Sequence, residues 1–192
     1  MTRIAPLEAP FEPDAAELLA QMMPADAPPI ALFRTFARNR PMTAAMIPWG
    51  TYALGRQSSL TRRERELVIL RTCARCDCDY EWGVHVAHFA ERAGLTVAQL
   101  ASLAGGTHAD PCWRDARDRL LVDTVDALHD TSDVDDELWA RLSSSFEEPQ
   151  LLDLILLTGW YHAISFVARA TRLPPEPGAP SLRDRSQLLP RP

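Results

Sequence analysis

The chain reads as all-α, a bundle of about eight helices, on three observations. No segment sustains the two-residue alternation of apolar and polar side chains that a half-buried strand needs. Apolar residues recur at helical spacing instead, as in Leu18, Leu19, Met22 and Met23, or Leu67, Ile69, Leu70 and Cys73. Two capping boxes, Thr61-Arg62-Arg63-Glu64 and Thr96-Val97-Ala98-Gln99, mark helix starts where side chains satisfy backbone N–H groups that have no partner inside the helix.

Residues 1–28 are expected to be an extension. Its proline-rich opening is extended or poorly ordered, and a short helix capped by Asp14 ends at Pro24. A helical domain over 29–173 follows. Ile30, Leu32, Phe33 and Phe36 give its first helix, and Pro41 opens a second that Pro48 bends and Gly55 stops. The helix after Thr61 runs to about 76, and the next covers 80–93 and stops at Gly94, the two packing antiparallel. A short helix then ends at Gly105-Gly106, a longer one runs from about 113 to 129, and a shorter one carries Leu138, Trp139 and Leu142. Glu147-Glu148-Pro149 opens a last helix, to about 173, that is apolar almost all round and therefore belongs between other helices or at a subunit interface. Residues 174–192 read as a loose, proline-rich tail.

Composition removes several functions. A chain of 192 residues can bury roughly two-thirds of its unfolded surface, enough for one real core. No lysine occurs, so neither a lysine Schiff base nor a lysine-bearing phosphate loop is available. The formal charge of −6 gives no general basic field, which argues against nucleic acid as a partner. The first residues form no apolar signal core, and no stretch approaches about 18 uninterrupted apolar residues, so a cytoplasmic protein with no membrane partner is expected. Four cysteines make no disulfide framework in a chain this long.

The reactive side chains concentrate between Glu66 and His88. Glu81, His85 and His88 stand at i, i+4 and i+7 on one helical stripe, and an antiparallel partner helix would bring Glu66 to face His85. A carboxylate beside an imidazole raises its basicity, which suits acid–base work near neutral pH, although Glu81 and His85 also suit an ordinary i, i+4 polar pair. Cys73 and Cys76 end one helix, where the dipole gives a thiolate no help. Cys78 sits just before the next, where an N-terminal dipole favours one. Glu66, Glu81, His85 and His88 offer a mixed N and O set that leaves a metal reading open, but their spacing matches no strong metal signature, and neither a metal nor any other cofactor is expected. His162 is expected either in the core or lining the site.

The run Arg63-Glu64-Arg65-Glu66-Leu67-Val68-Ile69-Leu70-Arg71, continued by Cys78-Asp79-Tyr80-Glu81-Trp82-Gly83-Val84-His85 and closed by Ala93-Gly94-Leu95-Thr96, resembles the carboxymuconolactone decarboxylase family, over roughly residues 30–170. The resemblance implies an alkyl hydroperoxidase D-like helical fold and a homo-oligomer, a trimer or hexamer. The hydroperoxidase branch carries a Glu and, twelve positions on, Cys-x-x-Cys-x-x-x-His. Glu66, Cys78 and His85 match that pattern, but Glu81 replaces the second, attacking cysteine. The decarboxylase branch has a Glu four residues before the same His, as Glu81 and His85 do. The resemblance thus favours Glu81 and His85 as acid–base residues, tuned by Glu66, acting on a small carboxylated or lactone-like molecule. His88, Arg71, Trp82 and His162 are candidates for holding it, with Arg71 or Arg56 as partner for a substrate carboxylate. A hydroperoxide reductase using Cys78, with Cys76 or Cys73 resolving it, is the alternative. A non-catalytic binding protein is the third reading.

Overall fold

A computed structural model describes residues 1–23 and 27–184. Among these residues there are nine helices and no strand: α1 Pro13–Met22, α2 Ala31–Phe36, α3 Arg40–Leu54, α4 Arg62–Arg75, α5 Asp79–His88, α6 Val97–Gly105, α7 Ala116–Thr131, α8 Asp136–Ser143 and α9 Glu148–Thr171. The fold is all-α. Both capping boxes form, Thr61 with Glu64 and Thr96 with Gln99.

Helix α4 is the axis of the bundle, touching α5, α6, α7 and α9. The registers of its polar contacts give the topology. Arg63–Asp118, Arg71–Asp126 and Arg75–Asp130 all pair residues 55 apart, so α7 runs parallel to α4. Gln150 to Ser59, Asp153 to Ser59 and Arg169 to Cys76 pair residues 91, 94 and 93 apart, so α9 is parallel as well. Helix α5 returns antiparallel, because the Cys78 N–H bonds the Cys73 carbonyl near the turn while Glu66 meets His85 farther from it. Leu67, Val68, Ile69, Leu70 and Cys73 of α4 are wholly buried where these helices converge.

The structure alters four expectations. The first helix starts from Glu12, and Asp14 instead pairs with Arg40 at 3.0 Å; Pro24, its expected stop, lies outside the described residues. The helix expected over 80–93 ends at His88, where Phe89 leaves helical geometry at φ −127°. Gly94, at φ +65°, closes the turn that follows, with Leu95 bonding back to Ala90 and Gly94 to Glu91. The helix expected from about 113 begins at Ala116 under an Asp115 cap, while Trp113 is buried with its indole N–H donated to Ser102 Oγ at 2.8 Å.

The fourth change concerns the described parts of the two ends, 1–12 and 174–184, which are packed; the rest of the tail expected to be loose lies outside the described residues. The Arg3 N–H bonds the Thr171 carbonyl at 2.7 Å, and Leu7 and Phe11 pack on a small cluster around Ala15, Leu19 and Ala37. At the other end the Glu176 carboxylate accepts from the Tyr80 hydroxyl at 2.5 Å and the Ala31 N–H at 2.6 Å. Asp79 accepts from the Leu182 N–H at 2.6 Å. This strap crosses α5 at Gly83, where an added Cβ would lie 2.7 Å from the Pro180 carbonyl oxygen. Glycine there is what lets the tail lie against the helix.

Helix α9 is long and apolar enough to cross a membrane by length and composition, and half of its apolar window is buried against the bundle.

Candidate active site

A cavity of about 500 Å³ opens between the end of α1, α2, α3, α5 and α9. Its wall is mainly apolar, with Leu32, Phe33, Met46, Trp160 and Ile164 among the contributors. Glu81, His85 and His88 all reach it, so the i, i+4, i+7 stripe of α5 faces one space. Arg92, in the turn after α5, and Tyr161 of α9 complete the polar part of the wall.

His85 is the centre of the polar network. Its Nδ1 lies 2.8 Å from Glu66 Oε2, and its Nε2 lies 2.9 Å from the Tyr161 hydroxyl and 3.8 Å from Glu81 Oε2. A carboxylate only accepts, so Nδ1 carries a proton toward Glu66, and in the neutral ring Nε2 accepts from Tyr161. All four residues are buried. Glu81 Oε1 has no hydrogen-bond partner. Such an oxygen is costly to bury and leaves its acceptor capacity unused.

Burial pushes the Glu81 carboxyl up to about 7, against the opposing pull of His85. For His85, burial acts downward, but the charge of Glu66 and its hydrogen bond outweigh it and hold the imidazole above its ordinary value. Burial, with the charges of Glu81 and Glu66, drives the Tyr161 hydroxyl well up, so it stays protonated. A carboxyl raised to about 7 and an imidazole raised above its ordinary value thus share one wall of an apolar cavity, an arrangement suited to moving a proton to or from carbon.

A comparison with protein families matches the chain over residues 41–122. The family it matches there is the carboxymuconolactone decarboxylase family. Solved structures with the same fold include an uncharacterised peroxidase-related protein from Silicibacter, 19% identical with TM-score 0.79 over 95% of this chain and 96% of that one. A second, an alkylhydroperoxidase AhpD core protein from Ralstonia eutropha, is 17% identical with TM-score 0.76 over 91% and 93%. A third, a protein of unknown function from Agrobacterium tumefaciens, is 19% identical with TM-score 0.64 over 73% and 95%. Among curated proteins no sequence matches.

Of the candidate site residues other than the thiols, Glu66, Glu81, His85 and His88 come together, and four do not. Arg71 is bound through its guanidinium to Asp126 at 2.6 Å and to the Leu103 carbonyl at 2.9 Å, on the α7 side of α4. Arg56 likewise does not line the cavity. Trp82 is wholly buried in the core and faces away from the cavity because it is one residue, about 100° of helix, from Glu81. His162 turns from the cavity to Thr158 and His129.

The thiols are also elsewhere. Cys73, Cys76 and Cys78 are buried and free, and none lines the cavity. The help expected for a Cys78 thiolate is overridden: burial pushes this thiol up to about 11, although the Glu81 backbone N–H pulls the other way. Burial also raises Cys73 well above, and Cys76 above, the ordinary thiol value.

Tyr161 and Arg92 were missed by the sequence reading. Tyr161 stands beside the His162 that was chosen, on a helix apolar all round and so without a face to choose by. Arg92 lies in an irregular turn where helical spacing gives no direction.

Proposed function

We propose that the chain is an enzyme of proton transfer at carbon, in the manner of a decarboxylase, acting on a small, largely apolar molecule with a carboxylate or lactone carbonyl. The observation that carries this reading is Glu81, a buried carboxyl that lines the cavity beside His85 and has one oxygen, Oε1, without a partner. In a decarboxylation the C–C bond breaks, carbon dioxide leaves, and the electron pair stays on carbon, delocalised into the neighbouring carbonyl. Glu81, half protonated at neutral pH, supplies a proton to that carbon and regains one from water. When His85 is protonated its Nε2–H donates to the Tyr161 oxygen, which leaves the hydroxyl proton available to the developing oxyanion, while Glu66 fixes the ring through Nδ1. Arg92 and His88, both exposed, suit the substrate carboxylate; among the described residues Arg92 has no acidic partner to displace.

A thiol peroxidase is the competing reading, and it draws on the words peroxidase-related attached to two structural neighbours. The buried thiols, with raised proton affinity and no access to the cavity, oppose it. The pair Glu81→Gln and Cys78→Ser separates the two. Steady-state turnover of a carboxylated lactone is expected to fall by about a hundredfold or more in Glu81→Gln and to stay within a few-fold in Cys78→Ser. Peroxide consumption that depends on Cys78 and survives Glu81→Gln would reverse the assignment.

A further inference from the structure

The C-terminal end of α4, the last turns of α7 and the middle of α9 bring together three side chains that acid–base chemistry in the cavity does not use. One ligand atom each from Cys76, His129 and His162 lies within 4.8 Å of the others. None of the three lines the cavity. His162 Nδ1 is 2.9 Å from the Thr158 carbonyl, so that nitrogen carries a proton and the lone pair of Nε2 points into the cluster. There it meets His129 Nδ1 at 2.9 Å. Cys76 is buried and its carbonyl is held by Arg169 at 2.6 Å, which fixes the residue at the end of α4. Arg169 and Arg75 both lie close enough to favour a thiolate at Cys76 against the effect of burial. Beside the thiol, the buried Ser165 hydroxyl has no hydrogen-bond partner of ordinary geometry.

We propose that Cys76, His129 and His162 form a binding site for a borderline-soft divalent metal ion, best suited to zinc, with the fourth position left to solvent or a ligand. One thiolate and two imidazoles, with no carboxylate among them, is a donor set for zinc rather than magnesium or calcium. Zinc–nitrogen bonds of about 2.0–2.1 Å at tetrahedral angles separate two imidazole nitrogens by about 3.4 Å. The observed 2.9 Å therefore opens by about half an ångström, within reach of small ring rotations. The Thr158 carbonyl is the outer partner that a metal-bound histidine ordinarily has on its other nitrogen. On binding, the Cys76 sulfur loses its proton to solvent, and the His129 proton moves from Nδ1 to Nε2, so one proton is released per ion. The sequence showed no metal signature because the ligands come from three helices far apart in the chain.

The test uses the full chain, stripped with a chelator and titrated with cobalt as a spectroscopic probe and with zinc. One cobalt per chain is expected to give a thiolate-to-cobalt charge-transfer band in the near ultraviolet. Cys76→Ser should abolish the band, His162→Ala should weaken binding at least tenfold, and His85→Ala should leave it in place. Zinc at a hundredfold excess over its dissociation constant should raise the unfolding midpoint of the unmodified chain by roughly 5–10 °C. If Cys76→Ser does not fold, proton release on adding zinc to the unmodified chain in weak buffer decides, with about one proton per ion expected. No cobalt band, a band that survives Cys76→Ser, or zinc uptake without proton release would each overturn the site.

Discussion

Glu81 places a carboxyl that must change charge in a buried position. Its ordinary value of 4.5 is raised to about 7, so between those pH values the folded chain keeps a proton that the unfolded chain has lost. The stability held by the neutral carboxyl is fully present below 4.5 and is lost as pH rises through about 7. The His85 shift has the same sign, since its raised value also makes the folded state the better proton binder. Urea unfolding at pH 5 and pH 8 should therefore show a decline in the unmodified chain. In Glu81→Gln, neutral at both, the decline should be smaller by up to about 3 kcal/mol. Activity should follow the same proton: decarboxylation that needs Glu81 protonated falls as pH rises through about 7, measured as kcat/KM. An equal slope of stability with pH in the two chains would show that Glu81 is not the group titrating.

At the scale of elements, α4 carries its charged residues on one side toward α7 and its site carboxylate on another toward α5. Arg71 is almost wholly buried and bound by both oxygens of Asp126, so removing it leaves a carboxylate that is only one-fifth exposed with the longer 3.7 Å contact to Arg75 alone. Arg71→Met should lower stability to urea by about 3 kcal/mol while leaving KM unchanged, since Arg71 is outside the cavity. A raised KM at full stability would return Arg71 to the substrate. Helix starts were legible because Thr61 and Thr96 signal them locally through their own side chains. The end of α5 was not: Phe89, Ala90 and Ala93 keep helical spacing in sequence, while the chain there bends into a turn closed by Gly94. The facing of Glu66 and His85 could be read from two helices joined by a short turn. The route of Arg71 to Asp126 could not, because it depends on a helix 55 residues away.

At the scale of the whole molecule, α9 has two faces of opposite meaning. Tyr161, Ile164, Ser165 and Ala168 are buried against the bundle, while Leu152, Leu156 and Phe166 are 63%, 54% and 64% exposed. Gly159 and Ala163, also exposed, continue the line between them, so the outer stripe of 152, 156, 159, 163 and 166 holds no charge over four turns. Gly159 has open space where a side chain would stand, which permits close approach of another helix backbone. A charge-free stripe of this length is seldom left in water, and we infer that a second copy of the chain covers it. Sedimentation at micromolar concentration is expected to give a species at least twice 21.4 kDa. Leu156→Arg with Phe166→Arg is expected to return it to a folded monomer, because both positions face outward and the change leaves the buried face intact. A single 21.4 kDa species in the unmodified chain would remove the oligomer and leave the stripe to a different partner.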